Sequence, residues 1–174
     1  MAISIGMLAQ IIGWIGTIVN TISFQAKNTI HMILMQASAG IIFGIHYILL
    51  GAPTAGLTQF IFSANIILLS FNTDDWKNWK GWKWVISGVV LAIFAFTWSG
   101  PIGLIPCGCS IIATFVNWSR NGKTIRLWRL IVLSPLWIFY DILVHSWPGI
   151  VLELIAMSSA LISIFRYGLK NLDQ

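Results

Sequence analysis

Asn72-Thr73-Asp74-Asp75-Trp76-Lys77-Asn78-Trp79-Lys80-Gly81-Trp82-Lys83 is the one long polar interruption in an otherwise apolar chain. It divides seven apolar stretches into three, one and three: residues 5–24, 30–50 and 53–71 before it and close behind it 84–98, followed by 101–118, 127–144 and 148–165. Most of these reach the ~17–25 residues that a helix needs to cross a bilayer core. Within the interruption, tryptophans and lysines alternate. Tryptophan prefers the headgroup level and lysine reaches toward phosphate, so the tract reads as an interfacial anchor leading into the fourth span. A stacking platform for bases or for a partner is the weaker alternative, because anchoring already accounts for the composition.

All ten Lys and Arg residues fall on alternate gaps. Lys27 follows the first stretch, Lys77, Lys80 and Lys83 the third, Arg120, Lys123, Arg126 and Arg129 surround the fifth gap, and Arg166 and Lys170 follow the seventh. Basic residues are retained on the cytoplasmic side, which predicts an N-terminus outside and a C-terminus inside. With 57% hydrophobic and 9% charged residues, little chain remains for a soluble domain. The net charge of +5 is then a matter of topology and of the anionic inner leaflet, and nucleic acid is not expected as a partner. The first stretch has no basic residue before it and reads as an uncleaved first helix. Cys107 and Cys109 lie two apart and face different ways on a helix, which predicts free thiols.

Sliding the chain on itself by 93 residues aligns the first three stretches with the last three. Lys27-Asn28 meets Arg120-Asn121, Tyr47 meets Tyr140, and Gly56 meets Gly149. Two trios joined by one helix share the same orientation in the membrane, a parallel repeat about an axis along the membrane normal. The predicted fold is therefore an all-α integral membrane protein with seven transmembrane helices arranged 3+1+3. Residues 1–72 form the first bundle, 73–99 the Trp/Lys tract and linker helix, and 100–174 the second bundle with a short cytoplasmic tail.

This organisation resembles the SWEET and PQ-loop transporter superfamily. The run His46-Tyr47-Ile48-Leu49-Leu50-Gly51, Ala55-Gly56 shortly after it, and Glu153 thirteen residues before Arg166 resemble the YgjV-type bacterial inner-membrane proteins over nearly the whole chain. The resemblance implies a SWEET-like fold in the bacterial inner membrane and no settled substrate. The chain departs from SWEET carriers in its prolines: Pro106 and Pro135 serve only the second half, their counterparts being Gly13 and Ile42, and no Pro-Gln dipeptide occurs.

Polar side chains inside the membrane need an explanation of their own, because a helix in lipid satisfies its own backbone. Gln10, Gly13, Trp14, Thr17, Asn20 and Thr21 share one face of the first span. Gly103, Pro106, Cys107, Ser110, Thr114 and Asn117 share the equivalent face of the fifth. Close packing with hydroxyls and amides as glue, or a solvated path, would each need this face. At ~1.5 Å rise per residue, Trp14, Asn65, Trp137 and Ser158 all lie ~13–18 Å from the outer ends of their helices, a depth suited to a midplane substrate pocket. His46, Asp141 and Glu153 lie ~6–8 Å deep, and a proton-handling layer is the functional reading. The alternative for this layer is a local Asp141–His145 pair at the interface with His46 capping a carbonyl. Arg126 and Arg129 read as phosphate anchors, with attraction of an anionic solute as the lesser role.

No nucleophile–base arrangement, metal motif or phosphate loop is present, so neither an enzyme, a metal nor a cofactor is expected. The expected function is alternating-access transport of a small polar solute, with Gly13, Gly16, Pro106 and Pro135 as hinges. The rival is a non-transporting membrane protein with a lipid-interacting, regulatory or assembly role. Membrane lipids are the expected partners alongside the solute, and a homo-oligomer stays open.

Overall fold

The computed structural model describes residues 4–23, 29–70, 81–98, 100–119 and 121–167. Lys27, Asn28, Arg120, Lys170 and the tract from Trp76 to Lys80 lie outside them. Among the described residues the chain is entirely helical: α1 Ile5–Ser23, α2 Thr29–Leu49, α3 Pro53–Ser70, α4 Trp82–Phe96, α5 Leu104–Trp118, α6 Gly122–Trp128, α7 Ser134–Leu143 and α8 Trp147–Tyr167. A 3-10 turn, Pro101–Gly103, leads into α5. A π turn, Arg129–Leu133, joins α6 to α7, so the two form one unbroken rod and the eight helices make seven rods among the described residues. Five segments are long and apolar enough to cross a membrane, at Ile5–Ser23, His31–Leu49, Pro53–Ser70, Pro101–Trp118 and Trp147–Arg166, with Trp82–Phe96 a shorter apolar helix.

The burial pattern explains why these sequences pack as they do. Along α2, Ala37, Ala39, Gly40, Phe43, Gly44, His46 and Tyr47 are buried, while His31, Leu34, Ser38, Ile41, Ile45 and Ile48 are exposed. That is helical spacing with a polar-tolerant inner face and an apolar outer one, as lipid requires. Because lipid tails are as apolar as leucine, close approach of backbones supplies much of the cohesion. A Cβ on Gly13 would stand 2.8 Å from the His46 ring, and one on Gly16 would stand 2.9 Å from Phe43. Both glycines therefore make room for α2 within an uninterrupted helix.

Packing follows a ring. α2 sits between α1 and α3, and α7 sits against both α5 and α8. The seams are closed by α1 on α8 and by α3 on α5, the first helix of each trio against the last of the other. α4 lies against α3 and α5, where Trp84 meets Phe115 edge-on at 4.9 Å.

The turns joining α2 to α3 and α7 to α8 have the same backbone. Leu50, Gly51 and Ala52 donate to the carbonyls of His46, Ile48 and Tyr47; Val144, His145 and Ser146 donate to those of Tyr140, Ile142 and Asp141. Gly51 has φ +77° and His145 φ +56°, so both turns pass through the left-handed region at the same place. These positions are 94 residues apart, whereas the starts of α2 and α6, Thr29 and Gly122, are 93 apart. The extra residue is taken up in the π turn, where the Ser134 N–H reaches back five residues to the Arg129 carbonyl. Pro135 follows directly. It has no N–H and its ring would press on the carbonyl four residues earlier, so a widened turn accommodates it.

Candidate functional site

Two polar regions lie inside the bundle. The first is at the end formed by the α2–α3 and α7–α8 turns, here called the turn end. His46 and Asp141 are both fully buried there. His46 Nδ1 lies 2.7 Å from the Ala9 carbonyl, and its Nε2 lies 2.8 Å from Ser146 Oγ. A carbonyl can only accept, so Nδ1 carries the proton. Neutral His46 then accepts from the Ser146 hydroxyl, and the imidazolium would instead donate to it. The Tyr47 hydroxyl donates to Asp141 Oδ1 at 2.7 Å, while Asp141 Oδ2 is buried with no hydrogen-bond partner. Gly149 lies against both Asp141 and Ser146, too close for any side chain of its own. Gln10 ties α1 to the same turn by donating to the His145 carbonyl at 2.7 Å. Thr17 bridges onward to the Pro148 carbonyl at 3.0 Å.

An aromatic layer lies next. Tyr47 stacks on Trp137 with centroids 5.8 Å apart, Tyr140 meets both edge-on, and Phe43 meets His46 edge-on at 5.6 Å. Phe43 and Trp137 face both regions, since they also line a cavity of about 120 Å³ in the middle of the bundle. The cavity reaches from this layer toward Asn20, near the far end of α1, and Arg129. Its polar lining comes from both trios: Asn20, Gln36 and Gln59 from the first, Ser110, Arg129 and Glu153 from the second. α4 contributes nothing to it.

Glu153 is held from two sides. Ser134 Oγ donates to Oε2 at 2.5 Å, and Arg129 Nη2 lies 3.5 Å from Oε1. Arg129 Nε is buried and has no hydrogen-bond partner. The ion pair is therefore long, and one guanidinium N–H, that of Nε, is left over, which marks groups not fully committed to each other.

The residues expected from depth alone are distributed differently. Trp137 lines the cavity. Asn65 is buried elsewhere, accepting from Trp118 Nε1 at 2.9 Å across the α3–α5 seam. Trp14 is 42% exposed, and Ser158 is exposed with its hydroxyl turned back to the Leu154 carbonyl. Of these four only Trp137 lines the cavity, because depth follows from helical rise, whereas rotation about each axis is set by packing. Of the layer His46, Asp141 and Glu153, the first two lie at the turn end, each with its own partners, and Glu153 belongs to the cavity lining. The polar stripes divide between the two readings left open. Gln10 and Thr17 are glue, and Asn20 and Ser110 line the cavity. Pro106 is buried in the first turn of α5.

Gln36, Gln59 and the pairing of Arg129 with Glu153 were not singled out by sequence reasoning. The 93-residue offset expected from the sequence carried a signal for them. Gln36 and Arg129, the first residue of the π turn, are 93 apart, and Gln59 and Glu153, after that turn, are 94 apart.

A family model described as bacterial inner membrane protein, Imp-YgjV, matches residues 7–171. No curated protein matches the chain, and no solved structure matches it.

Proposed function

We propose that this chain, which belongs to the Imp-YgjV family of bacterial inner membrane proteins, carries a small polar solute across that membrane by alternating access. The observation that carries the reading is the cavity itself: a space lined by amides, a hydroxyl and an ion pair, set among helices of which several are long and apolar enough to cross a membrane. Ionised and amide side chains at membrane depth are costly unless they are paired or used, and here they converge. A packing role alone would bring such groups together in dry contact, without a space between them.

In this reading the two trios are repeats, with α4 as linker, and the N-terminus is outside. Support for the repeat lies in the cavity lining, which falls into equivalent pairs: Gln36 with Arg129, Ala39 with Leu133, Phe43 with Trp137, Gln59 with Glu153. The turn end then faces outward and is closed by the Tyr47–Trp137 stack and the Tyr47–Asp141 and His46–Ser146 bonds. The cavity belongs to the opposite, basic side. Rocking of one trio against the other would part these contacts and open the cavity outward. The π turn and Pro135, next to the cavity, are where one rod can bend. Gly13 and Gly16 serve as contact points about which α1 and α2 move together. The chemistry is binding and conformational change, with no catalytic step.

Cysteine accessibility tests the reading. In a variant with Cys107 and Cys109 replaced by alanine, Ser110→Cys should react with a membrane-impermeant thiol reagent applied from the cytoplasmic side. Outside-only labelling, or none from either side in protein that remains folded, would remove the inward-facing cavity.

A further inference from the structure

The cavity offers an ion pair on one side and, at the equivalent positions of the other trio, two uncharged amides. Arg129 and Glu153 stand where Gln36 and Gln59 stand. The pair is 3.5 Å long. On the Nε–Nη2 edge of Arg129, the edge that receives a carboxylate in a two-pronged fashion, Nη2 makes the long contact to Glu153 and Nε is buried with no partner, so the edge is only half used. Glu153 keeps Oε2 on Ser134 at 2.5 Å, while Oε1 has only the distant guanidinium.

Charge balance decides what such a place accepts. A net anion would satisfy Arg129 but would stand against Glu153, a like charge in a region of low dielectric. A net cation would satisfy Glu153 and stand against Arg129, a weaker repulsion than the first because the Arg129 side chain is 37% exposed and Glu153 is nearly buried. An uncharged polyol can accept from the orphaned Nε, but it brings no counter-charge to either member of the long pair. A solute with one carboxylate and one ammonium a few ångströms apart satisfies both charges, and the cavity stays neutral. Gln36, Gln59 and Asn20 can donate or accept at its rim. Phe43, Phe62 and Trp137 supply an apolar wall.

We infer that the solute is a small zwitterion of the α-amino acid class with an apolar side chain, its carboxylate on Arg129 and its ammonium on Glu153. This inference rests on the transport reading for its purpose, but it concerns the site and can be tested by binding alone.

The test uses the full chain in lipid nanodiscs, with L-leucine as probe and three comparators: N-acetyl-L-leucine, which is anionic, L-leucinamide, which is cationic at neutral pH and below, and D-glucose. Leucine should raise the melting temperature in a saturable way, by mass action on the folded state, and each comparator should bind at least tenfold more weakly. Arg129→Gln and Glu153→Gln should each weaken leucine at least tenfold. Arg129→Lys and Glu153→Asp keep both charges and provide folded variants should the neutral ones fail to fold; each should retain binding weakened by less than the neutral substitution, or by about tenfold at most. Either charged analogue or glucose binding as tightly as leucine would overturn the inference, as would no leucine binding, or leucine affinity unchanged in all four variants. Uptake into proteoliposomes separates the two proposals. Leucine bound but never moved would remove transport and keep the zwitterion site, whereas glucose moved without leucine binding would do the reverse.

Discussion

The hydroxyl of Tyr47 donates to Asp141 Oδ1 at 2.7 Å, and the two residues occupy the same position in two identical turns 94 residues apart. One element of the fold thus meets its own counterpart, and an aromatic hydroxyl from one trio is matched by a carboxyl from the other. The bond joins α2 to α7 with no exposure of the carboxyl. It is also asymmetric, because Asp141 Oδ2 has no partner.

Tyr47→Phe should therefore destabilise the protein by about 1–3 kcal/mol, the usual cost of leaving a buried polar group unsatisfied. Asp141→Asn keeps an acceptor for the tyrosine and should cost less. Melting temperatures of the two single variants and the double one, in nanodiscs, give the coupling. Additive losses would mean that the bond contributes nothing.

Glycine positions divide sharply. Gly13→Ala forces a methyl into the His46 ring and Pro148, and should cost about 1–3 kcal/mol through overpacking. Gly88→Ala meets open space on α4 and should be neutral or mildly stabilising, by up to about 1 kcal/mol. Equal melting temperatures for these two variants would contradict the packing described.

His145 holds a φ of +56°, which costs an L-residue about 1 kcal/mol relative to glycine. His145→Gly should raise the melting temperature, and Gly51→Ala, at φ +77° in the equivalent turn, should lower it. A drop for both would show that the His145 side chain carries an interaction larger than the strain.

Deleting Ile131, which is exposed within the π turn, should convert the rod to regular α-helix and turn Arg129 by roughly 100° relative to Ser134. The Arg129–Glu153 pair would be lost with little loss of apolar burial. The expected result is folded protein, by circular dichroism and size exclusion, with binding reduced at least tenfold. Undiminished binding would place the site elsewhere.

Asn65→Ala distinguishes a structural amide from a lining one. It should leave Trp118 Nε1 unsatisfied and lower stability by about 1–3 kcal/mol, with leucine affinity unchanged. A weakened affinity with normal stability would restore Asn65 to the binding site.

The sequence by itself determined the order of the helices and roughly where each lies, because long apolar runs have one stable answer in lipid, although the sixth begins at Gly122 and not at the start of its apolar run. It also placed Asn65, His46 and Glu153 inside the membrane by their distance from the helix ends, while leaving open whether each faced protein or lipid. Only the tertiary structure decided which of them share a space. Trp14 and Trp137 lie at similar depth along their helices, yet one faces outward and the other lines the cavity. Rotation about a helix axis depends on how neighbouring surfaces interlock, and in a stripe of small residues many rotations look alike in one dimension. The π turn compounds this. A single residue inserted ahead of Pro135 changes the register from 93 to 94, turning Asp141 toward Tyr47 and setting Glu153 opposite Gln59, and no local signal in the sequence measures a rotation of that kind.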